Sequence, residues 1–338
     1  MKELLKELCL INGVSGDESA VREFIIGKVK DFCEYRVDPL GSLICFRKGR
    51  KSSDRKLMIC AHMDEVGFIV TYINPDGTLC FDEVGGVHTT VALGRQVRVG
   101  KGGISGVIGS TAVHNLSKEQ KEKAPEYEGM YIDIGARDRD EAMKLVALGD
   151  CVYFDSDFTE FGANIKSKAI DDRVGCAMMI RLIQEQPEYD TYFVFNVQEE
   201  IGLRGSGASA FSVAPDFAIV LEATTAADID GVSGAKRVCC LGDGPVVSFM
   251  DRRTIYDKEL YELAIDTARE LRMCCQTKTK IAGGNDAGAI HISGSGVRTI
   301  AVSLPCRYLH SASCVIAERD LEPSYQLVKR LAERINEL

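Results

Sequence analysis

Three runs of this chain are apolar without a period: "LMICAHMD" from Leu57, "TYFVFNVQEE" from Thr191 and "FAIVLEA" from Phe217. Each gives out in a histidine or a carboxylate. A strand with one wet face alternates apolar and polar residues, so unbroken runs of this kind predict strands buried on both faces. Such strands need covering layers, and helical periodicity supplies them in "DDRVGCAMMIRLIQEQ", "YDKELYELAIDTARELRM" and the closing "LEPSYQLVKRLAERINEL". The alternation predicts an α/β fold, a mainly parallel sheet flanked by helices.

The texture changes between about Thr71 and Phe161. Short β-like runs broken by glycine, as in "GGVHTTVALGRQVRVGKGGISGVIGS", replace the helical period except near "DEAMKLVAL". This predicts a separate β-rich insert over 71–161, dividing the α/β domain into 1–70 and 162–338. Near the N-terminus, Ser15 and Glu18 in "SGDE" have capping-box spacing ahead of a second helix.

Composition narrows the partners. With 41 Lys plus Arg against 50 Asp plus Glu, the formal net charge is −9, and neither sign gathers into a long block. That argues against nucleic acid and against a membrane surface. The first residues, "MKELLKELCLINGVSG", carry acidic side chains inside an apolar stretch, so they predict an amphipathic helix and not a secretory signal. The expected location is the cytoplasm. Thirteen cysteines, an odd and scattered number without C-x-x-C, are expected to be reduced core residues.

In open α/β sheets ligands bind beyond the C-terminal strand ends. The apolar runs deliver His62 and Asp64, Glu199 and Glu200, and Glu222 there, and "IAVSLPCRYLH" runs out into a loop bearing His310. Asp171, in "KAIDDR", precedes a helix. Singly, each has a plain reading: a helix cap for Asp171 or Asp172, solvated carboxylates, a surface histidine, a satisfied core histidine. Jointly, two imidazoles and several carboxylates at one sheet edge are a nitrogen and oxygen donor set suited to zinc, cobalt or manganese. Positions two apart on a strand share a face, so Asp64 can hold the second ring nitrogen of His62. The adjacent Glu199 and Glu200 repel unless cations offset them, and such a pair can divide into one ligand and one general base.

"AHMDEVGF", "KAIDDRVG", "QEEIGLRG", "GGNDAGAIHISGSGV" and "RYLHS", in that order, resemble the cytoplasmic dinuclear-metal aminopeptidases that include the glutamyl and tetrahedral aminopeptidases. Some relatives carry cellulase or endoglucanase labels. The resemblance implies a zinc-peptidase-like domain interrupted by a small β-barrel-like dimerisation domain. It implies two divalent metal ions, zinc first, with cobalt or manganese as alternatives. His62 and Glu222 would hold one, Glu200 and His310 the other, and Asp171 would bridge them. Glu199 would be the general base and Asp64 the partner of His62, with a cis peptide after Asp171. The implied reaction removes the N-terminal residue of short peptides through a metal-bound hydroxide, in a homo-oligomer that is a dimer or a tetrahedral dodecamer.

Two positions depart from the family pattern: Glu222 stands where aspartate is frequent, and Cys306 where threonine is. The rival readings are an endoglucanase-type glycoside hydrolase, against which the absence of tryptophan argues, a deacylase on the same metals, and a non-catalytic binder. Arg252 and Arg253 in "FMDRRT" could attract an acidic N-terminal residue, although an exposed loop is the plainer home for paired arginines.

Overall fold

The computed structural model describes residues 1–338, with every side chain except that at position 120. Its largest sheet has eight strands, in the order Glu34–Val37, Leu43–Arg47, Thr191–Asn196, Leu57–His62, Phe217–Thr225, Arg298–Cys306, Val246–Val247 and Gln276–Thr277. The four central strands, Thr191–Asn196 to Arg298–Cys306, run parallel. Antiparallel pairing begins on either side of them, at Leu43–Arg47 and at Val246–Val247. The α/β architecture is therefore a mixed sheet with a parallel centre.

Every residue of Leu57–His62 is buried, as its unbroken apolar run requires. The helix Ile170–Glu185 packs on this strand and on Phe217–Thr225, and almost all of it is buried. It therefore lacks a polar stripe. Helices Lys258–Glu270 and Leu321–Ile335 pack on each other and on Arg298–Cys306. Burying each large apolar side chain contributes roughly 1.5–3 kcal/mol, so this core dominates the folding free energy.

The parallel register sets the site. Asn196 pairs with His62, so the chain leaving Asn196 towards Glu199 and Glu200 emerges beside His62 and Asp64. Val220 pairs with Cys60, and two residues further along Glu222 lies level with His62.

After His62 the chain passes straight into a closed barrel of six strands, Gly67–Ile73, Leu79–Val84, Met130–Asp133, Ile104–Ser110, Gln96–Val99 and Cys151–Phe154 in spatial order. It has its own core around Phe68, whose ring packs edge-on against Phe81 and Phe154. Closure comes from Gly67–Ile73 pairing with Cys151–Phe154. A three-stranded sheet, Thr159–Phe161, Asn164–Ser167 and Cys314–Ala317, then ties the exit from the barrel to the segment after His310.

The expected capping box does not form. Ser15 Oγ donates to Asp64 Oδ2 at 2.6 Å, and Glu18 Oε1 accepts from the Gly16 and Gln198 amides. A buried carboxylate and two part-buried loop amides are partners that Ser15 and Glu18 satisfy at the expense of the local cap. All thirteen cysteines are free thiols. Among the described residues, no helix is long and apolar enough to cross a membrane.

Candidate metal centre

His62 ends its strand fully buried, with its two ring nitrogens facing different carboxylates. Nδ1 lies 3.1 Å from the Asp64 carbonyl oxygen and 3.4 Å from Asp64 Oδ1. Nε2 points into the site, 3.4 Å from Asp171 Oδ1 and 3.9 Å from Glu222 Oε2. On the other side, His310 Nε2 lies 3.3 Å from Glu200 Oε2 and 3.8 Å from Asp171 Oδ2. The Nδ1 of His310 faces the Gly86 carbonyl at 3.0 Å, so a loop of the barrel orients this ring.

Local backbone explains these directions. Ala169, Gln198 and His310 all have positive φ, an unfavourable conformation for side chains of this kind that concentrates at functional sites. Asp171 and Asp172 depart from helical dihedrals inside the segment Ile170–Glu185, and the peptide bond between them is cis, as the resemblance implies. Asp172 Oδ1 accepts from the Gly175 amide at 3.0 Å and so serves as the local cap. That leaves Asp171 turned to the histidines.

Asp171, Glu200 and His62 offer ligand atoms within 4.8 Å of one another, and so do His62, Asp172 and Glu222. Asp171 Oδ1 and Asp172 Oδ2 are buried without a hydrogen-bond partner among the described residues, which leaves acceptors for a cation. The donors are imidazole nitrogen and carboxylate oxygen throughout, as a borderline divalent metal requires.

The electrostatics agree. Burial holds the carboxyls of Glu199, Glu200, Glu222 and Asp172 well above the ordinary carboxylate range; nearby His62 opposes this, and neighbouring carboxylates add to it. Burial pulls His62 down, but the carboxylates of Asp171, Asp64 and Glu199 outweigh it and raise the ring well above its usual value. Asp64 differs: burial pushes it up, yet His62, Ser15 and the Glu199 amide bring it below its usual value. It stays a carboxylate at neutral pH. So dense a buried acid cluster is unfavourable as anions unless cations replace the protons.

All seven residues singled out in the sequence therefore meet here: His62, Asp64, Asp171, Glu199, Glu200, Glu222 and His310. Asp172 also reaches the cluster, although the sequence assigns it nothing beyond a cap. Behind the site, Lys168 Nζ donates to Glu65 Oε1 at 2.6 Å with both side chains about 3% exposed, and Arg173 Nη2 is 3.7 Å from the same oxygen. This buried ion cluster escapes sequence reading; its sole local signal is a lysine three residues before Asp171 in a strand ending.

A model described as M42 glutamyl aminopeptidase matches residues 41–327. A putative aminopeptidase of Acetivibrio thermocellus is 40% identical over 97% of either chain. The lysyl aminopeptidase of Pyrococcus furiosus is 32% identical over 98% of this chain and 97% of its own, and a glutamyl aminopeptidase of Lactococcus lactis is 28% identical over 98% and 96%. Among solved structures, the TET aminopeptidase of a marine-sediment thaumarchaeon superposes with a TM-score of 0.95 at 33% identity, covering 99% of this chain and 96% of that one. The Pyrococcus horikoshii TET1 peptidase, described as assembling into a tetrahedron or a large octahedral shell, gives 0.86 at 32% identity, covering 98% of each chain. A Thermotoga maritima structure titled endoglucanase gives 0.82 at 37% identity with the same coverage. With a family match over most of its length and full-length relatives above 30% identity, the chain belongs to the M42 glutamyl aminopeptidase family and is a metal-dependent aminopeptidase.

Proposed function

We propose that the chain removes the N-terminal residue of short peptides at a centre for two divalent cations. His62 and Glu222 would hold one and Glu200 and His310 the other, with Asp171 facing both histidines. The observation that carries this reading is that Asp171 turns Oδ1 towards His62 and Oδ2 towards His310. Zinc suits the donor set first, with cobalt or manganese as alternatives. When bound, the cations polarise the scissile carbonyl and acidify an attacking water.

The chain's own groups do the rest. Glu199 lines the cleft, and no structural ligand role is left for it once Glu200 and Glu222 are assigned. As general base it takes a proton from the attacking water and hands it to the leaving amine. Asp64 fixes the His62 tautomer and accepts from the Glu199 and Glu200 amides. The barrel, which holds His310 through Gly86, is read as the dimerisation domain of a cytoplasmic homo-oligomer, on the analogy of the shell-forming relatives.

A panel of aminoacyl chromogenic substrates, assayed after chelation and again with zinc, cobalt or manganese restored, tests the reading. Activity lost on chelation and regained with metal is expected. Hydrolysis of a cellulose oligosaccharide by the chelated chain would favour the glycosidase reading instead. The relatives are named for opposite preferences, lysyl and glutamyl, so family membership leaves the preferred residue open.

A further inference from the structure

Of the five stretches that carry the resemblance, "GGNDAGAIHISGSGV" alone supplies no donor to the metal centre. Its acid, Asp286, is nevertheless fully buried. Burial pushes the carboxyl up to about 6, although nearby His62 and the hydrogen bond from Asn196 oppose this, so it is an anion at neutral pH. A buried carboxylate is unfavourable for folding unless its bonds repay it, and one oxygen of Asp286, Oδ1, has no partner among the described residues. What the other oxygen holds is therefore informative.

Asp286 Oδ2 accepts from Asn196 Nδ2 at 2.8 Å, and Asn196 Oδ1 accepts from Ser209 Oγ at 2.7 Å. All three side chains are fully buried. A carboxylate can only accept, so Asp286 fixes which end of the Asn196 amide faces the Ser209 hydroxyl. Asn196 closes the strand Thr191–Asn196, and its own carbonyl accepts from the Met63 amide at 2.7 Å. Ser209 lies in the helix Arg204–Val213. Between these two elements runs the turn with Glu199 and Glu200, where the Leu203 amide donates to the Glu199 carbonyl at 2.8 Å and the Arg204 amide to that of Gln198 at 3.0 Å. The Asn196 side chain thus ties the entry of this turn to the helix that receives it.

Asp286 is itself firmly held. Asn285 Nδ2 donates to the Tyr256 hydroxyl oxygen at 3.0 Å, and that hydroxyl donates to Asp251 Oδ2 at 2.6 Å, with Tyr256 and Asp251 both buried. Gly283 and Gly284, just before, line the same cleft as Glu199.

Resting on the aminopeptidase reading, we propose that Asp286 is a positioning residue for the reaction: it fixes the Asn196 amide, and Asn196, bonded to Ser209, holds the turn that carries Glu199 and Glu200. Misplacing a catalytic group by a fraction of a turn slows the chemical step more than it weakens binding.

The test compares Asp286→Ala, Asp286→Asn and Ser209→Ala in the full chain. Steady-state kinetics on the metal-loaded enzyme use the aminoacyl anilide that the unaltered chain turns over fastest, with Glu199→Gln as the reference for a lost base. Hydrogen exchange of residues 197–205 in the chelated chain reads the turn without turnover. Asp286→Ala is expected to lower kcat about 10–100-fold with KM within about threefold, and to speed exchange of 197–205 about tenfold while the barrel stays protected. Asp286→Asn keeps an oxygen for Asn196 Nδ2 and should restore both. Ser209→Ala cuts the link at its far end without touching the carboxylate and should reproduce both changes at about threefold. Unchanged kcat and exchange in Asp286→Ala and Ser209→Ala overturn the proposal. So does Asp286→Asn as impaired as Asp286→Ala, which would assign the effect to charge, or faster exchange throughout the chain with a raised KM, which would assign it to general stability. An unaltered chain inactive on every anilide would refute the reaction instead, and the exchange of 197–205 would still decide whether Asp286 holds the turn.

Discussion

Asp64 sits directly behind His62, its carbonyl oxygen 3.1 Å and its Oδ1 3.4 Å from Nδ1. The same carboxylate accepts from the Glu199 and Glu200 amides at 3.0 and 3.1 Å and from Ser15 Oγ at 2.6 Å. One buried anion thus orients His62 and the turn carrying both glutamates. Asp64→Asn replaces an oxygen with an NH2 that faces amide donors, so it disturbs both at once. Metal affinity, measured by competition with a chromogenic chelator, is expected to weaken about 10–100-fold. Unchanged affinity would refute the positioning role.

Glu199 and Glu200 are adjacent, yet their surroundings differ. Glu200 Oε2 is 3.3 Å from His310 Nε2, whereas no histidine nitrogen forms an ion pair with Glu199 among the described residues. Glu199→Gln should keep the full metal content and lower kcat by about 10²–10⁴, the range of a lost general base. Elemental analysis beside a steady-state assay checks this. Loss of metal in this variant would move Glu199 into the ligand set.

Acidification should release bound metal, and chelation should make stability depend on pH. The carboxyls of Asp172, Glu199, Glu200 and Glu222 and the ring of His62 all have raised pKa values when folded, so the folded chain without metal binds more protons than the unfolded chain. Stability from these groups is therefore present below their ordinary values, about 4 for the carboxyls and about 6.5 for histidine, and is lost as pH rises through the raised ones. Metal displaces the same protons, so its affinity rises across that window. Melting temperatures of loaded and chelated chain should diverge from mildly acidic to mildly alkaline pH. A gap constant with pH would show that these groups do not exchange protons for metal.

The donors at the strand ends were legible because a strand delivers residues by its own geometry: once Leu57–His62 and Thr191–Asn196 are parallel neighbours, His62, Asp64, Glu199 and Glu200 must emerge together. The barrel's short strands were equally visible in the glycine-broken texture. Its closure was implied by the family resemblance and not by that texture, because it depends on Phe68 pairing with Val152, far along the chain. Ser15 and Glu18 were misread for a related reason. Their spacing fits a local cap, and only the folded chain brings Asp64 and the Gln198 amide within reach to displace it. The cap that the sequence left open between Asp171 and Asp172 falls to Asp172, to which the Gly175 amide donates, but its second oxygen facing the cluster is a tertiary fact.

The ion pair of Lys168 and Glu65 makes the sharpest stability prediction. Burial pulls Lys168 below its ordinary range even though Glu65 lies 2.6 Å away, because the Arg173 guanidinium also opposes its charge. Lys168 also donates to Asn12 Oδ1 at 3.0 Å, and Glu65 Oε1 accepts from the Gly13 amide at the same distance. Arg173 completes the link by donating to the carbonyls of Leu8, Ile11 and Met63. The cluster therefore joins the exit of the helix Lys2–Cys9 to the two turns that carry Asp64 and Asp171. Lys168→Met leaves Glu65 buried beside a more distant arginine and is expected to cost about 3–5 kcal/mol in denaturant unfolding of the metal-free chain. Removing both charges in Lys168→Met/Glu65→Leu leaves no unpaired carboxylate, so the double variant should be more stable than the single one. A double variant no better than the single one would mean that Lys168 matters through Asn12 and the N-terminal turn, and that its charge on Glu65 contributes little.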